Sequence, residues 1–414
     1  MQNTGIDLRS DVGDPVLIKN MLRGLQKAGN QVSVLLLEGR SVKLIEDLSQ
    51  LNLYRQTPLG ITGIKPFLWF ESGTRRLQSK LKIPYFAFFD SLRFFDTCCK
   101  ALTAFDICHE YQGLFSSGAA LACARLHIPY VITAGADIIL ERDISKQPLR
   151  GFHRNVAALE AKLTYRLARK VICVSEPARE HFVNNWGVLS DKITVIPNGV
   201  DLELFGEHRS GKLIRAKFGL LDEPVIVFVG GFQPWHGLDF LVDCFSLVLT
   251  EVPRARLILV GDGPVHQDIE HKIEALGLRN AVILSGTVPQ SEVPDYLATA
   301  DIAVLPYPPL PRELWFSPLK LYEYMSSGKA IVATRSGQIA EVIEDRHSGV
   351  LVEPGDVRSF TQALVRLLEN PYERERLGRN ARRQAVECHS WERQTQRLES
   401  VYQEVSPLSA QRGR

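Results

Sequence analysis

WFSPLKLYEYMSSGKAIVATRSGQIAEVI, residues 315–343, decides how this chain is read. The stretch predicts a helix opening at a polar cap, a short buried strand at 330–333, then a loop and a second helix. Ser317 is a good N-cap, and Pro318 suits the first helical position, where its missing N–H costs nothing. Lys320 is the odd residue. A cation in the first turn opposes the helix dipole, where a capping box would place Glu or Gln. A helix N-terminus carrying a lysine is suited to an anion. Glu323 lies one turn on, so the plain alternative is an intrahelical Lys320–Glu323 pair on a solvated face.

Working outward, strands and helices alternate on both sides of this block, the mark of a parallel α/β architecture. Downstream of a connecting segment at 206–223, strands are expected at 225–229, 257–260, 282–285, 302–305, 330–333 and 349–352, with helices between them. Upstream, an amphipathic helix at 16–28 precedes a strand at 31–37. Further strands are expected at 83–89, 105–109, 130–133, 170–174 and 193–196. A doubly wound domain normally has a buried strand ahead of its first helix. Residues 1–15, MQNTGIDLRSDVGDP, supply none, so the first strand is expected to be missing. The charged stretch 371–403 reads as helical, with Trp391 and Tyr402 as anchors.

Bulk properties agree with this picture. A chain of 414 residues exceeds one ordinary core, so two domains of about 200 residues each are expected. A net charge of +2 argues against a nucleic-acid binder. Seven cysteines without CxxC spacing point to a reducing, cytoplasmic setting rather than a disulfide framework. No apolar run reaches the length of a membrane span. Segment 66–100 mixes aromatics with bases. It is read chiefly as core around the expected strand at 83–89, with contact at the inner membrane surface as the alternative.

Ligands of open α/β sheets bind beyond the carboxyl ends of the strands. Three loops of the second half end there: Gly230-Gly231 leading through His236 to Gly237, Gly261-Asp262-Gly263-Pro264, and the Ser317 helix start. Glycines let backbone approach a phosphate, and helix N-termini supply N–H donors. Together they predict a nucleotide or sugar-phosphate site. A dinucleotide fingerprint is absent, since Gly261-Asp262-Gly263 lacks its third glycine, and no GxxxxGK[ST] P-loop occurs.

The second half resembles the donor domain of GT-B glycosyltransferases, specifically the retaining family 4. The likeness rests on IPNGVDLELF (196–205), VGGFQPWHGLDFLVDCF (229–245), LILVGDGP (257–264), LSGTVPQSEVPDYLATADIAVLPY (284–307), FSPLKLYEYMSSGKAIVATRSGQIAEVI (316–343) and SGVLVEPGD (348–356). GIDLRSDVGDP and ICHEYQGLFSSGAALACARLHIPYVIT resemble the acceptor domain more faintly. The resemblance implies two Rossmann-like doubly wound parallel-sheet domains facing across a cleft. An acceptor-side domain would span 1–203 and a donor-binding domain 204–385, with a C-terminal helix at 386–414 crossing back.

It also implies transfer of a sugar from a nucleotide diphosphate sugar to a glycan or lipid-linked acceptor, with retained anomeric configuration. Donor binding is thereby assigned to Gly230, Gly231, Gly261, Gly263, Ser317, Pro318, Lys320 and Glu323. Glu323 matches the glutamate that holds the ribose hydroxyls. No cofactor or metal is expected, as no Asp-x-Asp motif occurs.

Departures from the family pattern are informative. The first glutamate of the usual Glu-x7-Glu pair falls at Trp315, with Glu313 two residues early. The diphosphate-neutralising Arg and Lys fall at Gly231 and His236. Positive charge is therefore expected from Lys320, His236 and the Ser317 helix, with Arg312 as an outside candidate. The family's cleft-edge histidine is absent from the stretch 131–137, which leaves Asp137 as the catalytic candidate there, with His109 and Glu110 the other polar groups at strand ends. A nucleotide-sugar-binding protein that has lost catalysis is the competing expectation. An epimerase would need acid–base groups in the cleft that are not found.

Overall fold

The computed structural model describes residues 14–47, 55–57, 59–81, 88–144, 147–310, 315 and 317–406. By its internal packing the chain divides into two units. One comprises Asp14–Pro197 together with the chain from Thr395 onward, and the other Asn198–Gln394.

In the second unit six strands form one sheet: β8 (Val225–Val229), β9 (Arg256–Val260), β10 (Val282–Gly286), β11 (Ile302–Leu305), β12 (Ala330–Thr334) and β13 (Val350–Val352), counting from the strands of the first unit given below. Their order is β10-β9-β8-β11-β12-β13, parallel throughout. These strands read as continuous apolar runs because both faces are covered. One face buries Phe228, Leu257 and Val332 beneath the helices Leu238–Glu251 and Val357–Glu369. The other buries Val227, Ile258 and Ile331 with Tyr322 and Met325 of the helix Leu319–Ser326.

The first unit departs from a single doubly wound sheet. Its strands are β1 (Val34–Glu38), β2 (Ser41–Ile45), β3 (Arg55–Gln56), β4 (Cys108–Tyr111), β5 (Tyr130–Thr133), β6 (Lys170–Cys173) and β7 (Ile193–Val195). They form two sheets, β1-β2-β3 and the parallel β4-β5-β6-β7. The expected parallel strand at 31–37 is instead the first arm of an antiparallel hairpin, in which Glu38 pairs with Ser41. Gly39 makes the two-residue turn possible with φ +59°.

Of the strand expected at 83–89, only the last two residues are described, and these are helical. Residues 82–87 lie outside the described ones, and Phe88 and Phe89 open the helix Phe88–Ala101. That helix is tied to its neighbour, Lys65–Lys80, by a fully buried ion pair, Arg93 Nη2 to Glu71 Oε2 at 2.6 Å. The pair fixes which face of Lys65–Lys80 turns inward, so Trp69 is left 82% exposed and Phe70 58%.

The helical stretch 371–403 is built of two helices, Pro371–Cys388 and Trp391–Val405. Val200 interrupts it: its N–H donates to the His389 carbonyl (2.9 Å), and its own carbonyl accepts from the Trp391 N–H (3.2 Å). Trp391 is buried against Gly199, and Tyr402 donates to or accepts from His109 Nδ1 at 2.6 Å. Among the described residues, no helix is long and apolar enough to cross a membrane. All seven cysteines are free thiols.

Candidate functional site

The strand order of the second unit reverses between β8 and β11, and the loops that follow these two strands and β9 meet beyond their carboxyl ends. Gly230 (φ +143°) and Gly261 (φ +134°) occupy backbone conformations that side chains rarely adopt. A Cβ on Gly261 would collide with the Gly230 carbonyl, and one on Gly263 would lie 2.7–2.9 Å from the backbone of Phe232. These two glycines are therefore required by loop-on-loop packing rather than by approach of a ligand. Gly231 differs. It is exposed, and a Cβ there would meet nothing closer than 3.7 Å.

Gly230 makes room for Lys320. A Cβ at Gly230 would sit 2.5 Å from Lys320 Nζ. The ammonium lies 4.3 Å from the centroid of the Phe228 ring and 5.9 Å from that of Tyr307, a cation–π setting. His236 Nε2 lies 3.4 Å from it. The His236 Nδ1–H must donate to the Gly231 carbonyl, which can only accept, so Nε2 carries the lone pair and faces the lysine. Desolvation pulls the Lys320 pKa down to about 7, against the opposing pull of the Glu323 charge. Desolvation and then the neighbouring lysine lower that of His236 to about 3. Among the described residues no carboxylate comes within ion-pairing distance of Lys320, so the intrahelical Lys320–Glu323 pair is not formed. The lysine is a partly desolvated amine whose charge is poised near neutrality.

Glu323 shares the helix face of Lys320 and receives a hydrogen bond from the Gln290 side chain, while desolvation pushes its pKa up to about 7. The start of this helix corrects the sequence reading. Pro318 stands at the N-cap and the helix runs Leu319–Ser326, without a side-chain cap. The Ser317 hydroxyl is occupied elsewhere: it accepts from the Asn198 N–H (3.0 Å) and lies 3.1 Å from the Tyr322 hydroxyl. Asn198 Nδ2 also donates to the Ser317 carbonyl at 2.6 Å. Ser317 thus fixes the entry to the helix rather than offering its hydroxyl to a ligand. Arg312 and Glu313 lie outside the described residues.

Asp137 belongs to the first unit and is 3% exposed. Its Oδ2 accepts from Trp186 Nε1 and pairs with His181 Nε2, both at 2.8 Å, and its Oδ1 caps a helix by accepting from the N–H groups of Ile139 and Leu140. Desolvation opposes ionisation, yet the bonds from His181 and Trp186 hold the carboxyl below its usual range. The expectation of a catalytic Asp137 gives way to that of a buried tether. Glu110 is likewise internal, accepting from Ser116 and from Tyr130 (2.5 Å), with burial raising its pKa to about 7. His109 is held between Tyr402 and Thr133. Sequence reasoning missed Phe228, Tyr307 and Asn198. Only the last had a signal, the Pro197-Asn198-Gly199 turn cluster.

Comparison with known proteins agrees with this geometry. A model of glycosyltransferase family 4 matches residues 15–204, and one of glycosyl transferases group 1 matches residues 223–370. The MMP alpha-(1->4)-mannosyltransferase of Mycolicibacterium hassiacum is 29% identical over 73% of this chain and 71% of its own. An uncharacterized glycosyltransferase of Methanocaldococcus jannaschii is 25% identical over 93% and 92%. Among solved structures, sucrose-phosphate synthase of Thermosynechococcus elongatus superposes with a TM-score of 0.68 at 20% identity, covering 95% of this chain and 93% of that one. Anabaena HepE, solved in complex with UDP, gives 0.64 at 20%, over 80% and 89%. At such identities the likeness speaks for the fold alone.

Proposed function

The chain belongs to the group 1, family 4 glycosyltransferases of GT-B fold, and on that premise we propose that it moves a sugar from a nucleotide diphosphate sugar to a glycan or lipid-linked acceptor with retention of anomeric configuration. The observation that carries this reading is Lys320, a partly desolvated amine between two aromatic rings at the carboxyl end of a parallel sheet, with Glu323 one turn on but outside ion-pairing distance. A nucleoside diphosphate supplies the missing negative charge. Lys320 then neutralises the leaving group as the glycosidic bond to the β-phosphate oxygen breaks. His236 accepts from the lysine and holds it toward that site. Glu323, ionised, accepts from the two ribose hydroxyls. The reading includes no resident metal, because the lysine takes over the neutralising charge.

For the acceptor, the exposed face of the helix Lys65–Lys80 supports a lipid surface. Trp69, Phe70 and Leu77 stand on it with Lys65, Arg76 and Lys80, an amphipathic mix suited to an anionic interface. Trp315, in place of the expected donor-sugar carboxylate, favours a second reading in which nucleotide sugar binds but transfer has been lost.

Titration with UDP-, GDP- and ADP-sugars, followed by proton NMR of any released or transferred sugar, tests both. Saturable binding with turnover to an α-configured product from an α-configured donor supports the first reading. Binding without hydrolysis or transfer supports the second, and no binding of any donor overturns both.

A further inference from the structure

Val229, the last residue of β8, has a side chain where a neighbouring strand would be expected. Alternate residues of a parallel strand turn their backbone groups to opposite neighbours. The Gly230 N–H donates to the Val260 carbonyl of β9, and the Val225 carbonyl accepts from the Asp301 N–H just ahead of β11 (2.8 Å). Val229, in step with Val225, therefore turns its N–H and carbonyl toward β11. Among the described residues β11 does not meet them: it pairs with β8 only at Ile302–Ile226 and Ala303–Val227. Continued in register, the ladder would bring residue 306 to the Val229 carbonyl, and Pro306 has no N–H to give.

Tyr324 takes the place of the strand. Its hydroxyl accepts from the Val229 N–H at 2.8 Å and donates to the Val229 carbonyl at 3.3 Å. A buried N–H and carbonyl both need partners, and a phenol is at once acceptor and donor. The side chain is fully buried, on the same helix as Lys320 and Glu323. β8 and β11 each stay paired on their outer sides, at Val229–Val260 and Leu305–Ala333. Their inner edges part where the strand order reverses.

Lys320 uses that gap. Leu321, Tyr322, Tyr324 and Met325 pack on the face of the sheet that carries Val227 and Ile331, whereas Phe228 belongs to the opposite face. Yet Lys320 Nζ lies 4.3 Å from the Phe228 ring centroid, and 5.9 Å from that of Tyr307, which follows β11. The lysine has thus crossed the level of the sheet between the ends of β8 and β11. Strands zipped to their ends would fill that passage with backbone. We propose that Tyr324 is a positioning residue of the donor site: its hydroxyl stands in for a strand partner of Val229, keeps β8 and β11 apart, and so lets Lys320 reach the diphosphate. This role rests on the reading of Lys320 as the counter-charge of the diphosphate.

The test is isothermal titration of UDP, GDP and ADP into the full chain and into Tyr324→Phe, each with and without Lys320→Ala. Phenylalanine keeps the ring and its packing and removes only the hydroxyl. Tyr296→Phe removes another fully buried hydroxyl of the same unit, one that lies 3.3 Å from Lys217 Nζ, and serves as control. Expected is binding about tenfold weaker in Tyr324→Phe, changed less than about twofold in Tyr296→Phe, and lowered less than about twofold further when Tyr324→Phe is added to Lys320→Ala. Pro306→Ala is the second variant, since it restores the N–H that closes the ladder over Val229. It is expected to weaken binding in the same lysine-dependent way, and it decides alone if thermal unfolding shows Tyr324→Phe to be unfolded. Weakening that is equal with and without the lysine marks a merely structural tyrosine and overturns the proposal. Binding that neither variant weakens overturns it as well, while leaving the proposed function standing. No binding of any of the three nucleotides by the unaltered chain overturns the proposed function, and this role with it.

Discussion

Lys320 Nζ and His236 Nε2 stand 3.4 Å apart, one on the helix Leu319–Ser326 and the other in the loop after β8. Because the Gly231 carbonyl fixes the histidine tautomer, the pair behaves as an ammonium held by a neutral base. Replacing Lys320 by Ala is expected to lower kcat/KM by about 100- to 1000-fold with the fold intact, the range for removing one group that stabilises developing negative charge. Steady-state kinetics alongside circular dichroism measures this, and unchanged turnover would return the lysine to a structural role.

Protons should follow the nucleotide sugar, with a sign that changes across neutrality. Lys320, with a pKa of about 7, is mostly neutral at pH 8 and must gain a proton to meet the diphosphate. Glu323, also near 7, is mostly protonated at pH 6 and must lose one to accept from ribose. Net uptake of about 0.8 proton at pH 8 and release of about 0.8 at pH 6 follow from these values. Affinity therefore peaks near pH 7 and falls on both sides. Calorimetry in buffers of different ionisation enthalpy reads the exchange. Lys320→Met should abolish the uptake, and Glu323→Gln the release.

Adjacent glycines should respond differently. Gly230→Ala places a methyl group against the lysine and strains the backbone, so donor affinity is expected to fall about tenfold or more. Gly231→Ala should leave affinity within about twofold. Gly231→Arg, built into open space, is expected to recover part of the donor affinity lost in Lys320→Ala. Isothermal titration with the best donor separates the three.

Asp137→Ala should be a stability variant. Removing a buried carboxylate that serves Trp186, His181 and a helix start is expected to cost about 3 kcal/mol. Denaturant unfolding of the first unit checks this, and turnover at a temperature where the variant stays folded should remain within a few-fold. A large loss of kcat in the folded variant would restore Asp137 as a catalytic group.

Exchanging Trp69 and Phe70 for Ser should weaken binding to phosphatidylglycerol vesicles by more than about tenfold while leaving transfer to a soluble acceptor unaffected. Vesicle sedimentation measures it. Binding by the unaltered protein should also weaken as salt rises, since Lys65, Arg76 and Lys80 contribute about 1 kcal/mol each near an anionic surface.

Sequence reading was strongest where residues see the same surroundings on all sides. Buried parallel strands such as 225–229 and 302–305 are uniform apolar runs, and both were located to the residue. The hairpin at Gly39-Arg40 was missed because Val34–Glu38 is nearly as apolar as a parallel strand, and only the turn tells them apart. The break at His389-Ser390 carries no glycine or proline. It is imposed by Val200, almost two hundred positions away, and has no local signature. The same holds at the site. Lys320 was found because it violates a local helix rule, whereas Phe228 and Tyr307 look like ordinary core until the fold sets them around the ammonium.

The space that Gly230 leaves open for Lys320 also bears on how this chain can diverge. A side chain at 230 carries two costs, the strain of a positive φ and the crowding of Lys320 Nζ, and only the second goes when the lysine is lost. An arginine acquired at 231 would let the lysine be lost while a cation stays beside the loop, whereas the glycine remains required by its positive φ. In the reverse order every path crosses a form with no cation at the site.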